Sequence, residues 1–157
     1  MRNALAFRMF YFWTRCDRRA ATLGSSVIIF RALIMDNFLL VRNLSRPIQS
    51  PARIRRCDSF LCRFRGLMFR SHLDRNDGLL LEITHDSRLD SSIHIFFVPF
   101  DLAVIWINSE LCVVDKVIAK GWHPAYFPAH AARYTLEMHP DRMDDFEVGD
   151  KVAFQNV

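Results

Sequence analysis

A chain of 157 residues, 51% of them hydrophobic, is long enough for one domain with a sizeable core. Its apolar runs, such as 95–100 and 102–107, fall well short of the roughly 18–20 residues a membrane-crossing helix needs. The net charge of +4 points to nucleic acid only until it is located: residues 1–35 hold six arginines against Asp17, whereas residues 36–157 hold 15 basic and 16 acidic groups. Neither a nucleic-acid partner nor a membrane span is expected.

The arm, residues 1–35, is a poor signal peptide. Arg8 splits its first apolar run, and the basic stretch 14–19 precedes any small-residue cleavage site. Phe10, Tyr11, Phe12 and Trp13 among arginines would also suit a helix lying on a membrane surface. The reading adopted is that the arm lies outside the domain and that translation starts at Met35.

Residues 37–43 (NFLLVRN) read as a strand. Residues 47–56 alternate Ile48 and Ile54 with polar residues, and their prolines suit a sheet edge. Residues 58–66 break this pattern. Asp58 is a candidate N-cap, Phe60, Leu61 and Phe64 form one apolar helical face, and Gly66 terminates a two-turn helix.

Residues 78–84 predict the next strand, 86–90 a turn, and 92–98 and 102–108 two further strands meeting at Pro99, which cannot donate to a ladder. His94 and Asp101 then fall at strand ends, not within one buried run. Asn108, Ser109 and Glu110 form a turn into a strand over 111–118. Two prolines make 122–130 an ordered loop. Residues 132–138 give a strand, 140–150 a short turn or helix, and 151–156 the closing segment. The spacing predicts an all-β fold: a small antiparallel sandwich or barrel of about eight short strands with one or two short helices, over residues 36–157.

Charge is uneven within that domain. Residues 42–75 carry nine arginines against Asp58 and Asp74, and residues 76–157 carry six basic groups against thirteen acids, so the two halves should pack together and neutralise each other. Cys16, Cys57, Cys62 and Cys112 form no CxxC pair. Three of them fall in the domain, an odd number, which argues against a disulfide framework and a zinc knuckle. A reducing, cytoplasmic compartment is expected, with export left open.

The ordered series RGLMFR (65–70), GLLLE (78–82), IHIFFVPFDLAVIW (93–106), VVDKVIAKGW (113–122), ARYTLEM (132–138) and VGDKVAF (148–154) resembles domain-of-unknown-function family 192 of bacteria and archaea, over about residues 37–155. The resemblance implies an all-β fold with a minor helix and brings no established activity. Two departures stand out. Family members usually place a longer link before the Pro-hydrophobic-Asp motif, whereas here Phe96-Phe97-Val98 runs straight into Pro99-Phe100-Asp101. They also often follow Leu-Glu with a small residue and glycine, where Met138-His139-Pro140 stands here.

Six polar or aromatic residues are singled out. His94, beside an apolar strand, is a ligand-contacting group or general base, or a satisfied core histidine. Trp122 and Tyr126 offer a stacking surface or cover one barrel end. Arg65 is an anion clamp or a helix-end cation. Asp101 is read as structural, capping the turn after Pro99, and Glu137 as structural too, a solvent residue or the ion-pair partner of Arg65. No triad, HExxH, Walker loop or dinucleotide turn is present, the histidines lack metal-ligand spacing, and no metal or cofactor is expected. Two main readings follow. One is a small-ligand-binding or interaction module with an unknown small ligand or protein as partner. The other is a hydrolase- or lyase-type enzyme using His94 with Asp101 or Glu137 as acid and base.

Overall fold

Hydrophobic alternation builds seven strands. The computed structural model describes residues 38–48 and 50–156, and the expectations for residues 1–35 lie outside the described residues. In chain order the elements are β1 (Phe38–Asn43), β2 (Ala52–Cys57), α1 (Phe60–Arg65), β3 (Asp77–Ser87), β4 (Leu102–Ile107), β5 (Val113–Ala119), β6 (Ala132–Met138), a 3-10 helix (Pro140–Asp145) and β7 (Val152–Asn156). They form one sheet in the order β5-β4-β6-β3-β2-β1-β7. The all-β expectation holds.

Its finer form does not: the described strands number seven, not about eight, and make one open sheet, not a closed barrel or a sandwich. β2 and β3 pair in parallel, Ile54 opposite Gly78, while every other ladder is antiparallel. Parallel neighbours need a crossover of a dozen or more residues, and residues 58–76, containing α1, supply it. β2 is also interior, not an edge, because Pro47 and Pro51 both precede its first residue. The two ends of the sheet meet at a single corner, where Cys112 bridges Lys151 and the Val152 N–H donates to the Leu111 carbonyl at 2.9 Å.

β4, LAVIWI, is buried along its whole length. Ala103, Ile105 and Ile107 enter an inner core with Val41, Ile54, Leu80, Leu136, Met138 and Phe146. Leu102, Val104 and Trp106 enter a second core on the opposite, outer face, with Leu67, Leu73, Ile93, Ile95 and Val98. A continuous apolar run is what a strand needs when both its faces are covered.

The outer face is covered by α1 with the chain after it, and by the segment before β4. That segment, 92–98, is not the strand its alternation predicts. Ile93, Ile95 and Val98 do bury on one side, but the backbone makes only an isolated bridge, Ile93 to Tyr126, and Phe97 turns it with φ +58°. Trp106 and Thr135 hold it down: the indole Nε1–H donates to the Ser91 carbonyl at 2.8 Å and the Thr135 hydroxyl to the same oxygen at 3.1 Å.

α1 is one residue shorter at its start than expected. Its N-cap is Ser59, whose hydroxyl accepts the Cys62 N–H at 3.3 Å, and Gly66 closes it at φ +46°. The face formed by Phe60, Leu61 and Phe64 points outward, each more than half exposed. The cysteine expectation is corrected. Cys57, at the end of β2, is disulfide-bonded to Cys62 of α1 across the reversal at Asp58-Ser59, with Cα atoms 5.3 Å apart, and Cys112 is free. An odd count leaves one thiol over without forbidding a pair. The neutralisation of the two charged halves is visible in Arg46–Asp150 at 2.7 Å and Arg56–Glu82 at 2.6 Å.

Gly78 sits where neighbouring strands leave no room for a side chain. A Cβ there would lie 2.6 Å from Ile54 Cδ1 and 2.8 Å from the Glu137 carbonyl oxygen. The isoleucine can rotate, but the backbone oxygen cannot yield cheaply. Gly78→Ala is therefore expected to cost about 2 kcal/mol by overpacking. Urea unfolding checks this, and an unchanged midpoint would mean that the β3–β6 ladder absorbs a methyl group freely.

Candidate ligand cavity

β6 alternates. Tyr134, Leu136 and Met138 serve the inner core, so Arg133, Thr135 and Glu137 face outward. Outward on an open sheet would mean water. Here the covering segments turn it into a cavity of about 80 Å³, floored by Leu81, Arg133, Thr135 and Glu137 and roofed by residues 63–68 and 90–95.

Glu137 is its most unusual group. The residue is 4% exposed, which corrects the solvent reading. Burial alone pushes its carboxyl up to about 7. Among the described residues it has no ion-pair or hydrogen-bond partner. The expected ion pair with Arg65 does not form: Arg65 lies exposed at the cavity's rim and does not hold the carboxylate. A buried carboxyl without a partner costs stability, so its place here calls for a role.

Two further polar atoms are unsatisfied at the same cavity. Arg133 Nη2 reaches Glu82 Oε1 at 3.2 Å, while its Nε is buried without a partner. Glu82 is shared with Arg56, whose Nε donates at 2.8 Å. Arg142 shows what a satisfied buried arginine looks like: it reaches Asp145 and the Ser50 carbonyl, each at 2.7 Å. His94, half-buried, has an unpartnered Nδ1 and lies edge-on to Phe64 at 5.7 Å between ring centroids. Among the described residues, the cavity's lining side chains thus include a carboxyl, a guanidinium N–H and an imidazole nitrogen with unused hydrogen-bonding capacity, the last two atoms themselves buried. Among the described residues no group of three His, Cys, Asp or Glu side chains converges to hold a metal ion.

The other candidates lie elsewhere. Asp101 accepts a backbone N–H as expected, but from Gly121 at 3.1 Å across the β4–β5 end, not from its own turn, and Lys120 Nζ donates to it at 2.7 Å. The Lys120 ammonium, with the Gly121 N–H, holds its carboxyl below the usual range. Trp122 is exposed, with φ +64°, and Tyr126 packs on His123 at 4.4 Å while its hydroxyl accepts the Lys120 N–H at 2.8 Å. Arg65, His94 and Glu137 share the cavity; Asp101, Trp122 and Tyr126 do not line it. The sequence reading missed Arg133 and Thr135. Their signal was the polar period of two, 133, 135 and 137, along one strand.

Residues 44–154 match the model of domain-of-unknown-function family 192, described as an uncharacterized ACR. The chain is similar to a UPF0127 protein of Thermococcus gammatolerans, 39% identical over 99 residues, which are 62% of this chain and 63% of that protein. A UPF0127 protein of Pyrococcus horikoshii is 31% identical over 117 residues, 73% of this chain and 98% of the relative. The chain spans only 63% and 52% of the two Thermococcus relatives from gammatolerans and kodakarensis. In fold it is similar to a Novosphingobium aromaticivorans protein of unknown function, with TM-score 0.64 and 18% identity over 74% of this chain and 83% of that one.

Proposed function

The chain belongs to domain-of-unknown-function family 192, whose relatives carry no assigned activity, and from the cavity itself we propose that it is a binding module for a small polar ligand or for the polar end group of a larger one. The observation that carries this is Glu137, a buried carboxyl at the cavity floor with no partner among the described residues. Size sets the ligand class. About 80 Å³ holds several water-sized groups and is far below the roughly 300–1,000 Å³ of drug-sized pockets. Chemistry sets it further, since the Arg133 guanidinium lines the cavity as a donor-only cation while Glu137 donates or accepts according to its protonation. A short amide, carboxylic acid or amino alcohol meets both needs.

A thermal-shift screen of such compounds against the full chain tests this. A true ligand is expected to raise the midpoint of the unaltered protein and, at pH 8 where the carboxyl is ionised, to lose at least about tenfold in affinity with Glu137→Gln, since a hydrogen bond to a charged group is worth about 1.5–3 kcal/mol. Equal stabilisation of both proteins by every hit would sink the reading.

The enzymatic alternative is narrowed. Asp101 is engaged with Lys120 and Gly121, so an acid–base pair would be His94 with Glu137, which line one cavity. No described helix is long and apolar enough to cross a membrane. The Cys57–Cys62 bond favours an oxidising compartment over the cytoplasm. Peptide mapping after alkylation of the protein from its native cells checks this, and finding both thiols alkylated would return the protein to a reducing compartment.

A further inference from the structure

We propose that the aromatic strip beside the cavity docks on an anionic lipid surface. Phe60, Leu61, Phe64, Phe69, Phe97 and Trp122 are each between 48 and 76% exposed. They are not scattered. Phe60 stacks on Phe64 at 6.3 Å between ring centroids, Phe64 meets His94 at 5.7 Å, and His94 meets Phe96 at 5.7 Å. From the next residue, Phe97 stacks on Phe69 at 5.1 Å and meets Trp122 edge-on at 6.0 Å. The rings make two clusters that adjoin in the chain at Phe96-Phe97 and are drawn from three chain segments, the kind of exposed apolar patch that marks an interaction site.

The backbone is strained to present them. Phe69, Phe97 and Trp122 have φ of +63°, +58° and +64°, a left-handed conformation that bulky residues rarely adopt. The Phe69 N–H donates to the Phe97 carbonyl at 2.9 Å and the Trp122 N–H to the Val98 carbonyl at 3.2 Å, fixing the three turns side by side. Strain of this kind is ordinarily repaid by burial or by function, and these side chains are not buried.

Charge identifies the occupant. Arg55, Arg65 and Arg70 frame the groove that holds Leu61 and Phe69, no acid lines that groove, and among the described residues none of the three arginines has an ion-pair partner. Asp74 and Asp77 lie in the neighbouring groove beyond Arg70. Apolar rings flanked by free guanidinia are the composition of a surface that sits in the headgroup layer of anionic lipids. Single-stranded nucleic acid would need ring faces open to its bases, and in the pairs Phe60–Phe64 and Phe69–Phe97 each ring turns one of its two faces toward its neighbour.

The test is co-sedimentation of the full chain with phosphatidylcholine vesicles, with and without phosphatidylglycerol. Binding is expected to the anionic vesicles and to weaken with salt. The double variant Arg55→Gln/Arg70→Gln is expected to bind them about thirtyfold more weakly, at roughly fivefold per arginine near the surface. Phe60→Ser/Leu61→Ser/Phe64→Ser is expected to bind at least about tenfold more weakly. All five side chains are surface groups, so the thermal midpoint of each variant should stay near that of the parent, which confirms folding. Binding that survives both sets of substitutions, absence of binding to either vesicle, or a concentration-dependent dimer lost in the triple variant would each overturn the proposal.

Discussion

Trp106→Ala is expected to cost about 4 kcal/mol of unfolding free energy, in the range for deleting a buried aromatic. Trp106 is 1% exposed at the centre of the outer core. Its ring fills the space between the sheet and the segment before β4, and its Nε1–H holds the Ser91 carbonyl at 2.8 Å. Truncation therefore leaves a cavity and frees one of the two donors that pin that segment. Trp106→Phe separates the two effects. It keeps most of the volume and loses only the donor, while Thr135 still reaches the same oxygen at 3.1 Å. About 1–2 kcal/mol is expected for that variant. Against a typical domain stability of roughly 5–15 kcal/mol, the alanine protein should unfold at markedly lower urea. Equal losses for alanine and phenylalanine would show that the hydrogen bond, not the packing, holds the segment.

The same residues show why parts of the fold were legible in the chain and others were not. β6 was bounded correctly at 132–138 because its alternation is clean and Pro128 and Pro140 fence it. β4 was legible from its unbroken apolar run, ended by Asn108. The segment 92–98 has the same alternation but lacks a ladder partner, and pairing is a long-range fact that period cannot report. The parallel β2–β3 ladder is of that kind too, decided by where the crossover through α1 returns. The helix was predicted, yet the direction of its apolar face was not. Phe60, Leu61 and Phe64 share one side of α1, and only the tertiary fold decides whether that side meets core or solvent.

The cavity was half visible. His94, Arg65 and Glu137 were singled out as polar residues in apolar surroundings, and they line one cavity. What the chain could not show is that Glu137 is sealed. A strand residue opposite Leu136 and Met138 should face water unless something covers the outer face, and the cover comes from residues 63–68 and 90–98, about 40 to 70 positions earlier in the chain. The pairing of Arg65 with Glu137 followed from net charge, which ignores geometry.

Glu137→Gln is expected to raise stability at pH 8 by about 3 kcal/mol and to change it little below pH 5. Burial lifts the carboxyl from the 4.5 of an exposed glutamate to about 7, and each pKa unit is worth 1.36 kcal/mol. The sign follows from proton counts. Between those two pH values the folded protein holds a proton on Glu137 that the unfolded chain has released, so stability falls as pH rises. The loss begins near pH 4.5, is largest in slope up to about 7, and levels off above it, where a bare carboxylate is buried. Asp101 and Asp150 act in a separate window: Lys120 and Gly121 lower the first, and at Asp150 burial pushes upward but is outweighed by Asn43, the Glu147 N–H and Arg46, so their contribution disappears only as pH falls below the usual aspartate value of 3.8. Urea unfolding of both proteins at pH 5 and pH 8 isolates the Glu137 difference. A glutamine protein less stable at pH 8 than the parent would mean that a cation such as Arg65 or Arg133 holds the carboxylate in solution. A gain in stability that comes with loss of ligand affinity is the outcome that marks a residue kept for binding at the fold's expense.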